Sequence, residues 1–437
     1  THTRHTGAKL MPTVQPLALP RNGNTVAAID LGTSKLFCLI AELNMGRPRI
    51  LGAAQLQAEG LKHGDITDLN QFSHCLHQVI DEAETSAGES ARDIYLAFSG
   101  GNLSGQLLEG NVPIEPGPIS NSVLTRALDT AETIARTSLR GQPKRELLHV
   151  VPAFYAVDGR HGVSDPRGIH ADHLSLFANA VTMSRAARRD LDALRKIFQH
   201  NRTHILAAPW ASALAVLDAD EKNLGAIVID IGAETTSVTE VRANALHTLS
   251  VIPTGGATLT RNIARQLGIT LRSAEQIKTR HGHAFADIAP DHETVKVTPL
   301  GNSDHTPKSM PRAKLLKVLQ PSLENILAKV REQLNALAPS PHKHLVFTGG
   351  GSLVPGIDIL AEHILEHKPR LASPKPLSQL ADLYKTPAHA VSVGTLLWAT
   401  QHEDIVMPEE KRRRRNLWQK LASPPQRWLH NAIGAEF

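Results

Sequence analysis

Residues 27–34 read AAIDLGTS and residues 227–234 read IVIDIGAE. Each is an apolar strand ending in aspartate, followed by an apolar residue, a glycine, a small residue and a turn. Strand-like runs follow both copies: LFCLIAEL and PRILGAAQLQ after the first, TTSVTEV and ALHTLSVIP after the second. The repeat predicts two related α/β lobes that face each other, each offering one hairpin to a shared cleft.

The chemistry of such a pair is definite. A glycine two residues past an aspartate lets the backbone bend close to a phosphate, and the following N–H groups can cradle its oxygens. Asp30 and Asp230, at the strand ends, can hold the waters of a Mg²⁺ that bridges the phosphates. Gly32, Thr33, Ser34 and Lys35 supply the first hairpin with a turn, hydroxyls and a cation; Gly232, Thr235 and Thr236 supply the second. One D-x-G turn is a common feature of proteins. Two of them, with Thr348-Gly349-Gly350-Gly351-Ser352 after a third apolar strand, point to a nucleotide.

Composition narrows the partners. The chain has 437 residues, 41% of them hydrophobic, enough for two to four domains with real cores. No apolar run approaches the roughly eighteen residues that cross a bilayer. Cys38 and Cys75 have neither metal nor pairing spacing, which suits a reducing cytoplasm. The net charge of +5 is unevenly placed: residues 411–437 carry seven Lys/Arg against one acid, whereas residues 25–410 hold 37 basic and 41 acidic residues. A mildly acidic body lacks the basic folded face of a nucleic-acid binder, so no nucleic-acid partner is expected. Residues 1–24, with Pro12, Pro16, Pro20 and no periodicity, read as a disordered leader.

The C-terminal end leaves two readings open, a solvated charge run whose tryptophans pack on the body and an anchor to a membrane surface. A linker at 402–410 leads to Lys411 and the run Arg412, Arg413, Arg414, Arg415, then Trp418 and Leu421. After Pro424 and Pro425, which prevent one continuous helix, come Arg427, Trp428, Leu429, Ile433 and Phe437, the last four on one half of a helical cylinder. Tryptophans seat at headgroup depth, and each cation adds about 1 kcal/mol of attraction to anionic lipid. One such tail binds weakly; multivalency through polymerisation would strengthen it.

The two hairpins and the TGGG turn resemble those of the actin-like ATPases. Over residues 25–437 the chain resembles the bacterial cell-division family FtsA, notably at LLHVVPAFYAVDG (147–159), ILAAPWASALAVL (205–217), IKTRHGHA (277–284) and RWLHNAIGAEF (427–437). The resemblance implies an α/β fold: an actin-like, two-lobed ribonuclease-H-type architecture with an inserted small α+β subdomain and a C-terminal amphipathic tail. It divides the chain into a first lobe (25–102, 181–207, 387–401), an insert (103–180), a second lobe (208–270, 341–386) and a helical subdomain (271–340) with a loose polar loop near 286–309. It further implies ATP and Mg as cofactors. Gly255 and Gly256 would lie in a connecting motif, and Glu275 and Lys278 beside the nucleoside.

The function implied is that of a polymerising adaptor that tethers the tubulin-like FtsZ ring to the cytoplasmic face of the inner membrane and helps recruit the division machinery. Its partners would be the FtsZ C-terminal peptide, further copies of itself, the anionic membrane surface and other division proteins. The peptide is expected on 271–340, where Lys308, Arg312, Lys314 and Lys317 can meet an acidic, apolar segment. The amphipathic end favours this over a PilM-like component of a type IV pilus inner-membrane platform.

Two departures from the family pattern carry expectations. Glu234 stands where the second loop usually has glycine, and its charge near the triphosphate is expected to cost about 1 kcal/mol or more unless it faces away. Ala208, before Pro209, stands where related chaperones have a glutamate that organises water, so ATP binding with slow or absent hydrolysis is expected.

Overall fold

The computed structural model describes residues 24–44, 47–197, 202–290, 292–301, 306–337 and 344–401. The leader and the basic amphipathic tail expected from the sequence, with every membrane residue named above, lie outside the described residues.

The first lobe is built on a five-stranded sheet ordered Arg202–Ala207, Asp93–Phe98, Asn24–Leu31, Lys35–Asn44, Arg47–Gln57. Its strands carry near-continuous apolar residues because both faces are covered. Helix Leu69–Ala87 covers one face. Asp68 caps it by accepting the Gln71 N–H, Gly88 ends it in the left-handed region, and Phe72, Leu76, Val79, Ile80 and Ala83 form the buried stripe. Each large apolar side chain buried there contributes about 1.5–3 kcal/mol.

The two sequence copies occupy equivalent places. In the first lobe, Asn24–Leu31 pairs antiparallel with Lys35–Asn44 and parallel with Asp93–Phe98, so Asp30 lies opposite Phe37 and Ala97. In the second, Ala226–Ile231 pairs antiparallel with Thr236–Arg242 and parallel with Leu345–Thr348, so Asp230 lies opposite Ser237 and Thr348.

Between the sheets pass two short apolar helices, Ala208–Val216 and Ala390–Gln401. They cross so closely that a Cβ added at Gly394 would stand 1.7 Å from the Ala211 carbonyl oxygen. One hydrophobic core runs from the first sheet through these helices to Val228 and Val346 of the second.

One feature goes beyond the sequence reading and one departs from it. The insert, although it interrupts the first lobe in sequence, joins the second lobe's sheet: Ser104–Val112 pairs with Ala245–Ile252 over Gln106–Thr248, Gly105–Leu249 and Ser104–Ser250. The result is a nine-stranded sheet from Arg160–Val163 at one edge to Arg370–Leu371 at the other. Within 271–340, the segment read as a loose loop contains a hairpin, Thr294–Val297 with Lys308–Pro311. Val295 and Val297 of that hairpin enter the core under helix Arg312–Ala336.

Candidate nucleotide cleft

The two hairpins, the glycine turn and the start of helix Ala390–Gln401 enclose a cavity of about 370 Å³, within the usual range for a small-molecule site. It is lined by Asp30, Gly32, Thr33, Ser34 and Lys35 from one lobe and by Asp230, Gly232, Thr235, Gly349, Gly350 and Gly351 from the other. Gly256, Glu275 and Lys278 complete the far wall. The glycines are there for closeness. A Cβ at Gly349, whose φ is +83°, would lie 2.2 Å from an Asp230 carboxylate oxygen, and one at Gly32 would lie 2.7 Å from the Lys35 carbonyl.

Burial, the largest effect, raises the Asp30 carboxyl to about 7; Lys35 opposes this and Asp230 adds to it. Burial likewise raises Asp230 to about 6, against a hydrogen bond from Ser212. Two carboxylates so placed call for a cation. The fit to Mg²⁺ rests on this oxygen-donor pair, which would hold the ion through its waters, while the bound ion would neutralise phosphate charge. Among the described residues no cluster of three or more His, Cys, Asp or Glu offers a separate metal site.

Some expected residues are engaged elsewhere. Thr236 is buried and donates to the Thr254 carbonyl (2.8 Å), and Ser352 donates to the Gly349 carbonyl (2.7 Å). The first amides of helix Gly256–Leu267 are also spent: Gly256 and Ala257 N–H donate to the carbonyls of Gly232 (2.9 Å) and Ala233 (2.6 Å). Gly255 sits against those same carbonyls, where a Cβ would fall 2.5 Å from the Gly232 oxygen and 2.8 Å from the Ala233 oxygen. Lys278 ties helix Leu271–His281 to this corner, donating to Gly256 O, Thr260 Oγ1 and Glu275 Oε2 at 3.0, 2.9 and 2.7 Å.

Glu234 faces away from the phosphate space. One carboxylate oxygen accepts the His63 backbone N–H (2.6 Å) from the turn Leu61–Ile66 of the opposite lobe, and the other pairs with Arg261. Burial opposes its ionisation, but His63 and Arg261 outweigh it and hold the carboxyl below the usual range. The charge expected to repel the triphosphate is thus neutralised and spent on a contact between lobes. Thr235 Oγ1 makes a second, longer contact across the cleft to Ser99 Oγ (3.4 Å).

Sequence reasoning missed Ser99, Leu353, Val354, Pro387, Ala388 and Val391, which also line the cavity. Pro387, Ala388 and Val391 fall in the stretch 387–401 that the sequence assigns to the first lobe, but no motif there marks them as lining a site. On helix Arg312–Ala336, Lys314 and Lys317 are exposed, whereas Arg312 is committed to the His281 carbonyl (2.8 Å) and Glu293 (2.9 Å).

Sequence comparison adds to this geometry. Residues 227–394 match the family model described as cell division protein FtsA, and residues 100–182 match the SHS2 domain inserted in FtsA. The chain belongs to the FtsA family. It is 28% identical over 407 residues to cell division protein FtsA of Agrobacterium fabrum, covering 89% of each chain. It is 29% identical over 381 residues to that of Escherichia coli K12, covering 85% of this chain and 89% of that one. Among solved structures it is similar to the PilM–PilN type IV pilus biogenesis complex (TM-score 0.60, 18% identity, 89% of this chain and 100% of that one). It is also similar to MreB5 of Spiroplasma citri bound to ADP (TM-score 0.51, 13% identity, 89% and 99%). At such identities the likeness is one of fold, and the fold is actin-like. The SHS2 match falls on the insert whose sheet continues into the second lobe.

Proposed function

We propose that this FtsA-family chain binds ATP with Mg²⁺ between its lobes, assembles with copies of itself, and tethers the FtsZ ring to the cytoplasmic face of the membrane at the division site. The observation that carries the nucleotide part is the meeting of both hairpin aspartates and the triple-glycine turn around one cavity. Membership of the cell-division family supports the rest, together with a sequence whose last residues are basic and amphipathic.

Turnover is slow on this reading. The carboxylates among the cavity-lining residues are Asp30, Asp230 and Glu275, and the position before Pro209 is the methyl group of Ala208. The two aspartates are occupied by the cation, and Glu275 by Lys278 and Thr260. No free carboxylate among them is left to take a proton from attacking water. ATP then acts as a structural ligand that holds the lobes together.

Liposome co-sedimentation tests the proposal, with full-length protein and a form ending at Glu410, with and without Mg·ATP and FtsZ. Full-length protein should pellet with anionic vesicles and carry FtsZ with it; the shortened form should stay in solution. Equal pelleting of both forms removes the tail from the mechanism. FtsZ that remains in the supernatant overturns the tethering role. Turnover above about one ATP per second, an ordinary kinase rate, contradicts the structural role of the nucleotide.

A further inference from the structure

The turn Pro387–His389 touches both halves of the cleft. On one side the Pro387 carbonyl accepts the Gly349 N–H (3.2 Å) of the glycine turn. On the other, His389 Nε2 stands 2.7 Å from Lys35 Nζ of the first phosphate loop. The imidazole is buried, 6% exposed, and is set by its surroundings. Nδ1 is 2.9 Å from Thr386 Oγ1, the ring packs edge-on against Phe37 (4.7 Å between centroids), and Tyr384 closes the other side (5.3 Å). The Gln55 side-chain amide also reaches Nε2, at 3.0 Å; beside a lysine that can only donate, it is the NH₂ end of that amide, not its carbonyl, that faces the ring.

A lysine ammonium has only hydrogens to give. Nε2 must therefore be the acceptor, which leaves the Nδ1 hydrogen for Thr386 and fixes one neutral tautomer. Burial and the neighbouring Lys35 push the imidazole down to about 4, in keeping with a neutral ring. Lys35 then uses one N–H to hold the ring and keeps two for the cavity it lines.

Resting on the nucleotide reading above, we infer that His389 is a positioning residue that aims the Lys35 ammonium at the phosphates of the bound nucleotide. An unanchored lysine would have to surrender much of its rotamer freedom on binding, and the His389 contact removes that cost beforehand. The ring touches Lys35 and not the nucleoside side of the cavity, so its effect should be confined to the phosphates. The same turn holds Gly349, so the lysine and the glycine turn are placed relative to one another by three residues.

The test compares the affinities of ATP, ADP and adenosine for wild type, His389→Phe, His389→Gln and Lys35→Ala, with thermal melts of each protein without nucleotide. His389→Phe should bind ATP and ADP about tenfold more weakly, the scale of one charge-assisted hydrogen bond, and adenosine as wild type does. His389→Gln, which restores an acceptor, should recover most of the loss. Adding His389→Phe to Lys35→Ala should cost nothing further, since the two act as one unit. Parallel losses for adenosine and ATP, additive losses in the double variant, or an unchanged ATP affinity would each overturn the inference. Should His389→Phe melt early, His389→Gln and the double variant still decide. Wild type that binds none of the three ligands would instead overturn the reading of the cleft, and this inference with it.

Discussion

Replacing Glu234 separates two opposed accounts of the same charge. If the carboxylate repelled the triphosphate, Glu234→Ala would tighten ATP binding. The structure makes it a clasp between lobes, so the loss should fall on the His63 turn. A charge-assisted bond to the His63 amide is worth about 2 kcal/mol. The Arg261 side chain is 38% exposed, so its half of the interaction adds at most about 1 kcal/mol. His63 itself sits at φ +51°, a conformation that a non-glycine residue keeps only when its surroundings hold it there. Freeing 2 kcal/mol should raise the local opening of that turn, and hydrogen exchange of the His63 amide, by about 30-fold in Glu234→Ala. Glu234→Gln, still an acceptor but uncharged, should fall between. Arg261→Ala exposes the carboxylate's charge and should weaken ATP several-fold; adding Glu234→Ala should relieve that weakening. Unchanged exchange over residues 60–66, together with tighter ATP binding by Glu234→Ala, would refute the clasp.

Four further outcomes follow from the same geometry. The folded Asp30 and Asp230 carboxyls titrate near 7 and 6, above their unfolded value of 3.8, so the stability they contribute without cation is complete below about pH 4 and is lost as pH rises through those values. A cation needs them ionised, so the rise in melting temperature caused by Mg·ATP should grow from pH 5.5 to 7.5, and a flat profile counts against the carboxylate pair. Chelating Mg²⁺ at pH 7.5 should weaken ATP binding, measured by calorimetry, at least tenfold because the triphosphate would then face two bare carboxylates. Gly394→Ala forces a methyl group to within 1.7 Å of the Ala211 carbonyl and should destabilise by about 3 kcal/mol or prevent folding, seen in a thermal melt. Lys314→Glu with Lys317→Glu should abolish binding of an acidic FtsZ C-terminal peptide with an unchanged melt, whereas Arg312→Ala should lower the melt by losing its His281 and Glu293 contacts.

The hairpins were legible because their information is local. In eight residues each copy spells a strand, a carboxylate and a glycine turn, a return strand follows at once from Lys35 or Thr236, and register follows from side-chain alternation. The edge pairing of Ser104–Gln106 with Thr248–Ser250 had no such signal, since it joins segments more than 140 residues apart and neither announces an edge. TVKV and KSMP are four residues each, too short for a period to stand out against the polar stretch between them.

The site divides along the same line. Backbone-built parts, the glycine turns and strand-end aspartates, read directly. Side chains whose partner appears only in the folded chain did not: Thr236 and Ser352 have the right chemistry but are satisfied by backbone carbonyls. Glu234 looked hostile until Arg261 and His63 came beside it, and no sequence motif pairs His389 with Lys35. In each case a buried polar group has to be paired, and the partner lies between 18 and 354 residues away in all but Ser352. The cleft is therefore a place where two loops recognisable in sequence are tuned by residues recognisable only in space. How tightly the cleft holds a ligand should depend on that second set, on Glu234, Arg261 and His389, as well as on the glycines.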